Sequence, residues 1–539
     1  MDVSPTTALL GDDTVDGAVG YGGRPVLRSK SGGWRSAVLI IGVEITERFA
    51  FYGIENNLIS YLTGPLRQST ARAATNVNIW YGTSTVLPLF GAFVADSYLG
   101  RYRMIVASTL LYILGLGFLT LSAILPSLRP PDCLNPSFCP PPTPFQVFFF
   151  FTSLYIIALA QGGHRPCVQA FGADQFDERD PNESKARSSF FNWWYFALQS
   201  GILVSLWSVT YIQDNVSWAL GFGIPCIAMA VALFIFSLGS FSYRHLIVEE
   251  ESSFGRVASV LAASARRRFR RAIKTSKDEG LEACKEVEAE EKEARAVLQL
   301  VPIWATLLIF GVVFSQTSTL FTKQANTMIR KIGPNFEIPA ATMQMFICVA
   351  IIVVLPLYDR LLVPVMRSFT KIKSGITMLQ RIGVGMSISS LAMVVAALVE
   401  AHRLAVAHDQ TVSVNMPGEN VQMSVGWLIP QYILCGAADA LTMVGLQEFF
   451  YDQVPDGLRS IGLALYLSIF GMGNFLSGFL ISAIDKASGA HGESWFSTDL
   501  NRAHLDYFYW LLAALNTLGL GTFVYFSRSY IYKTKGEDE

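Results

Sequence analysis

Apolar runs of about 20 residues recur along this chain, and each is long enough for a helix to cross the hydrocarbon core of a bilayer. Twelve such runs are read: 37–62, 77–97, 104–125, 145–171, 189–212, 217–241, then 298–322, 340–358, 376–400, 425–450, 460–484 and 506–527. The one long polar segment, 242–297, divides them six and six. The pattern predicts an all-α membrane protein of twelve transmembrane helices in two six-helix bundles. The expected boundaries are a tail over 1–35, a bundle over 36–241, a linker over 242–297, a second bundle over 298–527 and a tail over 528–539. Several runs carry charges or prolines and need neighbouring helices to shelter them.

Composition agrees with the pattern. The chain has 539 residues, 51% hydrophobic and 15% charged, where a soluble protein is about a quarter charged. A net charge of -1 gives nucleic acid nothing to hold. Residues 1–35 lack a basic segment followed by an apolar core, so insertion is expected to rest on the first span. Basic residues favour the cytoplasmic side. Arg101, Arg103, Lys185, Arg187, Arg360, Arg367, Lys371, Lys373, Arg381 and the run Arg266 to Arg271 all fall on one side of a twelve-span chain. Both termini are therefore expected in the cytoplasm, although Lys323, Arg330 and Lys331 fall on the other side.

The linker is expected to hold a surface helix, with Glu288–Lys292 and Glu291–Arg295 as acid-before-base pairs in the favourable order. Its basic half either lies on anionic lipid or belongs to a solvated tether, the plainer reading. Cys133 and Cys139 share a Pro-rich loop as a disulfide or as two thiols. Cys167, Cys226, Cys348 and Cys435 sit in apolar runs and read as small core residues. No Cys/His spacing suits a metal, and no cofactor is expected.

The first span carries the densest chemistry. Glu44, Glu47 and Arg48 stand at i, i+3 and i+4, with Glu55 about three turns from Glu44 on the same side. A lipid-facing charge is costly, so this stripe should face water or a partner. Two acids and one base hold a proton, an ion pair, or each in turn. Tyr52 lies on the same stripe and is a candidate to touch a solute.

Other spans add fewer groups. Gln161-Gly-Gly-His164-Arg165-Pro166 interrupts span 4, and Arg165 needs an anion, for which the acids of span 1 are candidates. His164 is the only one of the six histidines within a membrane run. It either titrates near neutral pH or satisfies a hydrogen bond, the commoner case. Asp439 lies well inside span 10 and Glu448 near its cytoplasmic end. Span 7 ends Phe314-Ser-Gln316 and runs on to Lys323. Its polar residues line a pathway or simply bond between helices, and Lys323 closes an outer gate or snorkels. Phe148 to Phe151, Trp193, Trp194 and Trp304 read as lipid-facing or interfacial. Asp96 with Arg101 after span 2, and Asp359 with Arg360 after span 8, form a faint repeat, as in transporters built of parallel halves.

These residues resemble a known family. Glu44-Ile-Thr-Glu47-Arg48 followed by Phe-Ala-Phe-Tyr-Gly is similar to the ExxER run of proton-coupled peptide transporters. Ala95-Asp96-Ser-Tyr-Leu-Gly100-Arg101, Phe171-Gly-Ala-Asp174-Gln175-Phe176-Asp177, Phe191-Asn-Trp193 and Leu357-Tyr-Asp359-Arg360 are similar to further motifs. The Phe171 to Asp177 motif is especially typical of the plant nitrate and peptide transporter branch. The resemblance spans about 30–527. It implies a major facilitator fold and alternating access, with proton flow driving solute uptake. It implies Glu44, Glu47 and Arg48 as the coupling cluster. The candidate solute contacts are Tyr52, Arg165, Phe314, Gln316 and Asp439, and the candidate gating residues are Asp96, Arg101, Lys323, Asp359, Arg360 and Glu448. Three positions depart from the family. Arg165 stands where lysine is usual, and arginine hardly ever deprotonates. Asp439 replaces a glutamate. Phe314 stands where nitrate-handling relatives can carry histidine.

The expected function is proton-coupled symport of nitrate, a peptide or an organic anion across the plasma or vacuolar membrane, with Phe314 and Asp439 tilting it toward a larger organic solute. The expected partners are protons, a small solute and the lipid bilayer, with oligomeric state open. A solute sensor signalling through the linker and a proton-independent facilitator are the rivals. An enzyme is not expected, because no nucleophile–base pair or metal cluster falls within the spans.

Overall fold

The computed structural model describes residues 14–129, 140–177, 179–246, 281–333, 336–371, 376–414, 421–454, 459–490 and 494–530. The expectations for Cys133, Cys139 and Arg266 to Arg271 lie outside the described residues, as do those for the side-chain pairs Glu288–Lys292 and Glu291–Arg295. In chain order the first elements are β1 Thr14–Val19, β2 Pro25–Leu27, α1 Gly33–Glu55, α2 Leu58–Thr63 and α3 Thr70–Val94. Next come α4 Arg101–Ile124, α5 Pro144–Ala173, α6 Pro181–Asn215, α7 Trp218–Leu238 and β3 His245–Leu246. Then follow α8 Leu281–Phe314, α9 Leu320–Asn326, the short strands β4 Met328–Ile329, β5 Lys331–Ile332 and β6 Phe336–Glu337, and α10 Met345–Leu357. The last are α11 Val363–Thr370, α12 Met378–Val414, β7 Val421–Ser424, α13 Ile429–Asp452, α14 Arg459–Gly489 and α15 Leu505–Ser529.

Among the described residues, eleven helical segments are long and apolar enough to cross a membrane. They cover every expected span but the first. That span is α1, whose Glu44, Glu47 and Arg48 make it more charged than the others. The bilayer explains the agreement: a spanning backbone must satisfy its polar groups internally, which a helix does.

The chain forms two compact units, Met1–Gln68 with Val86–Glu250, and Ser69–Thr85 with Glu251–Glu539. The start of α3 thus belongs to the second unit and its end to the first. The first unit has a core of Ile40, Val43, Phe171, Phe176, Phe190, Trp194 and Phe236. A three-stranded antiparallel sheet, in the order β2-β1-β3, pairs residues ahead of α1 with the segment after α7. The second unit has a core of Leu307, Phe310, Ile382, Met386, Phe449 and Phe470.

Several local expectations need correction. The helix α8 runs unbroken from Leu281 to Phe314, so it begins within the expected linker rather than at the expected span. Its Glu-, Ala-, Lys- and Leu-rich start holds no breaker and extends the helix. Trp194 and Phe150 are buried in the first unit, whereas Trp193 and Phe148 are exposed. Neighbours on a helix point about 100° apart, so adjacent aromatics part company. Trp304 is half-buried and donates its Nε1 hydrogen to Ser468 Oγ at 2.9 Å. Cys226 is only half-buried, while Cys167, Cys348 and Cys435 are buried.

Candidate functional site

In the first unit, α1 carries its charges inward. Glu44, Glu47 and Arg48 are all buried. Arg48 Nε donates to Glu44 Oε1 at 2.7 Å, the acid-first i,i+4 arrangement that a helix favours. Glu47 Oε2 stands 3.5 Å from the same nitrogen, too far for a normal hydrogen bond. Gly201 of α6 makes this packing possible: a Cβ there would lie 2.6 Å from the Ile45 carbonyl and 2.9 Å from Arg48 Cβ. Glu55 is buried at the far end of the stripe, and Tyr52 is half-buried within electrostatic reach of Arg48.

Arg165 follows His164 on α5 and is half-buried. Among the described residues it makes no hydrogen bond or ion pair, because the acids of α1 take Arg48 instead. Where α5 crosses α3, a Cβ on Gly91 would strike the Gly162 carbonyl, so only glycine permits that approach.

In the second unit, α8 stops at Phe314 and α9 resumes at Leu320. The intervening Ser315 to Thr319 are buried. Gln316 repairs part of the broken ladder, its Nε2 donating to the Val312 carbonyl at 2.8 Å and to Ser477 Oγ at 3.0 Å. Asn78 of α3 donates to the same Ser477 oxygen at 2.9 Å. Phe314 packs edge-on against Phe470. Asp439 of α13 is buried, with no hydrogen bond or ion pair among the described residues. Lys323 on α9 is partly buried.

The faint repeat has a structural counterpart. Ala95–Leu99 and Tyr358–Leu362 are both single π-helical turns, a feature frequent at functional places in helices. Asp96 lies on the first, and its side chain is outside the description. Arg101 bonds both oxygens of Asp174 at 2.6 and 2.7 Å. Asp359, Arg360 and Glu448 are exposed and form no ion pair among the described residues. The buried charge nearby is Arg381, whose guanidinium lies 4.2 Å over the Tyr358 ring.

Two polar networks escaped the sequence reading. In the first unit, Arg244 donates to Glu183 at 2.7 Å and to the Ser31 carbonyl at 2.7 Å. Arg28 pairs with Asp177 at 2.7 Å and Asp180 at 3.2 Å, and Gln175 bonds both the N–H and the carbonyl of Arg244. The backbone N–H groups of Glu183 and Asn182 hold Asp180 below the usual carboxylate range. In the second unit, Arg403 and Glu400 are fully buried and form a two-pronged pair at 2.7 and 2.8 Å. Arg403 also binds Asn501 and the Leu500 carbonyl, and Gln324 donates to Glu400. Two charges three apart beyond an apolar run were the available signal for this second network.

Comparison with known proteins decides the family. The PTR2 model of the POT family matches residues 102–496. The chain belongs to the POT family. It is 54% identical to Protein NRT1/ PTR FAMILY 5.10 of Arabidopsis thaliana, over 99% of both chains. It is 49% identical to Protein NRT1/ PTR FAMILY 5.12 of the same plant, over 98% of both. Among solved structures, an auto inhibited POT family peptide transporter superposes with a TM-score of 0.74 at 21% identity, covering 94% of this chain and 99% of that one. A POT family transporter in complex with 5-aminolevulinic acid gives 0.64 at 16%, covering 92% and 96%. These likenesses establish the fold: an all-α membrane protein with the twelve-helix major facilitator architecture of POT transporters. POT proteins are membrane transporters, not enzymes.

Proposed function

We propose that this POT protein is a proton-coupled symporter of a small solute, working by alternating access. The observation that carries the reading is the uneven pairing on α1, where Glu44 hydrogen-bonds Arg48 at 2.7 Å and Glu47 stands 3.5 Å from the same nitrogen. A buried group of two carboxylates and one guanidinium has one negative charge in excess, which a proton on Glu47 neutralises. When that proton leaves, Glu47 competes with Glu44 for Arg48. The two states then differ in the interactions they make, which any coupled switch requires.

Tyr52, Arg165, Phe314, Gln316 and Asp439 are proposed to contact the solute, and Asp96, Arg101, Lys323, Asp359, Arg360 and Glu448 to govern opening and closing. Arg165 has the free charge to receive an anion. Phe314 gives an apolar surface and Asp439 an uncompensated acid, a set suited to an organic solute larger than nitrate. A structural neighbour that holds 5-aminolevulinic acid is compatible with that size class. Plasma and vacuolar membranes both accommodate the reading, with both termini cytoplasmic.

The test is uptake by the purified protein in liposomes of labelled nitrate, dialanine and an aromatic carboxylate, with and without an inward proton gradient. Accumulation of one class above equilibrium, only with the gradient, is expected. Flux of all carried probes that ignores the gradient would replace symport with facilitated passage.

A further inference from the structure

A second set of polar groups faces the α1 cluster from within the first unit. Gln161 and His164 stand nearly one turn apart on α5 and are fully buried. Neither ring nitrogen of His164 has a hydrogen-bond partner, nor does either end of the Gln161 amide. Across from them on α1, Glu44 Oε2, both oxygens of Glu47 and Arg48 Nη1 are also unpartnered. Buried polar atoms are nearly always bonded, and unpaired ones mark a functional group or a place where water bridges. Here donors and acceptors both go unused in one region, which is what a hydrated polar interior requires.

His164 lies near Glu44 and Arg48 on α1 and precedes Arg165 on its own helix, while Tyr112 of α4 lies near Glu47, Arg48 and Arg165. His164 is close enough to Glu44 and Arg48 to interact electrostatically with both. Tyr112, also buried, is likewise coupled to Glu47, Arg48 and Arg165. Gly163 between them packs tightly, since a Cβ there would lie 2.5 Å from Met104 Cε. A histidine kept only for packing would bond at least one nitrogen to the protein. This one leaves both available, and a neutral imidazole is a donor at one nitrogen and an acceptor at the other.

We propose that His164 is a proton-relay residue for Glu47, acting through water held by Gln161 and Tyr112. A proton from the entering water is taken by the unprotonated ring nitrogen. The other nitrogen gives up its own proton through bridging water to the Glu47 carboxylate, which becomes a neutral acid. The ring returns to its first tautomer before the next passage, so neither charge nor electrons accumulate on it. The inference rests on the proton-coupled reading above.

The test uses the full chain in liposomes with labelled nitrate, dialanine and the aromatic carboxylate as probes. His164→Gln keeps polarity and size, and Gln161→Leu removes the water-holding amide while leaving the histidine. For each, gradient-driven accumulation is measured against external pH, beside probe-for-probe exchange without a gradient. Accumulation by His164→Gln is expected to fall about a hundredfold, the low end of what a positioned proton-transfer group contributes, with an altered pH profile. Exchange is expected to stay at the wild-type rate, a separation that a packing defect would not give. Gln161→Leu should show the same split in milder form, and it decides the matter if His164→Gln does not fold. Wild-type accumulation and pH profile in either folded variant would overturn the relay. A wild-type protein whose uptake ignores the gradient would instead remove proton coupling itself, and the relay with it.

Discussion

Arg48 gives its Nε hydrogen to Glu44 at 2.7 Å, while Glu47, its immediate neighbour in sequence, stays 3.5 Å away. The two acids therefore have separable roles. Removing the carboxylate of Glu44 strips a buried arginine of its hydrogen-bonded partner. Glu44→Leu is expected to destabilise the fold by about 1–3 kcal/mol, the cost of an unsatisfied buried group, read as a lower midpoint of thermal unfolding in detergent. Glu47→Gln leaves the bonded pair intact and should unfold at the wild-type midpoint.

Arg403 and Glu400 form a buried pair that also fastens Leu500 and Asn501. Arg403→Ala leaves Glu400 charged and held only by the Gln324 amide, so a loss of about 3–5 kcal/mol is expected. Replacing both residues with methionine should recover most of it. Equal losses in the single and double variants would show that the loop bonds, not the charges, dominate.

Arg244 and Arg28 share an acidic neighbourhood and differ in exposure, with side chains 1% and 31% accessible. Arg244→Ala should cost about 3 kcal/mol or more, and Arg28→Ala less than about 1 kcal/mol. Limited proteolysis ahead of α1 is the local readout. Faster cleavage in Arg244→Ala than in Arg28→Ala is expected, and the reverse order would shift the anchor to Arg28.

His245 gives the same region a pH dependence. Its ring packs against Tyr21, Tyr102 and Phe171, and burial holds it below the ordinary histidine range. The unfolded chain then binds a proton more readily than the folded one. Its contribution is fully present above the unfolded value of about 6.5 and is lost as pH falls toward the lower folded value. Hydrogen exchange in β1 and β3 should quicken on acidification in the wild type and respond less in His245→Gln.

Much of the fold was legible because the bilayer writes it into the chain. Apolar runs must be helical, and Glu44, Glu47 and Arg48 stand out because charges inside such runs are costly. What stayed hidden depends on distant pairing. Arg28 meets Asp177 across 149 positions and Arg244 meets Glu183 across 61, and no periodicity announces such partners. The segment ahead of α1 read only as a tail, yet β1 and β2 form because β3 completes their sheet. Arg165 looked bound to the acids of α1, but Arg48 lies one turn from Glu44 on the same helix and takes that place.

The most direct test of coupling follows the proton itself. A pH-sensitive dye trapped in liposomes reports internal pH as the carried probe is added outside. With wild-type protein, addition is expected to acidify the interior in step with uptake, and Glu47→Gln is expected to exchange the probe without acidification. Uptake by the wild type at constant internal pH, or undiminished acidification in Glu47→Gln, would contradict the account.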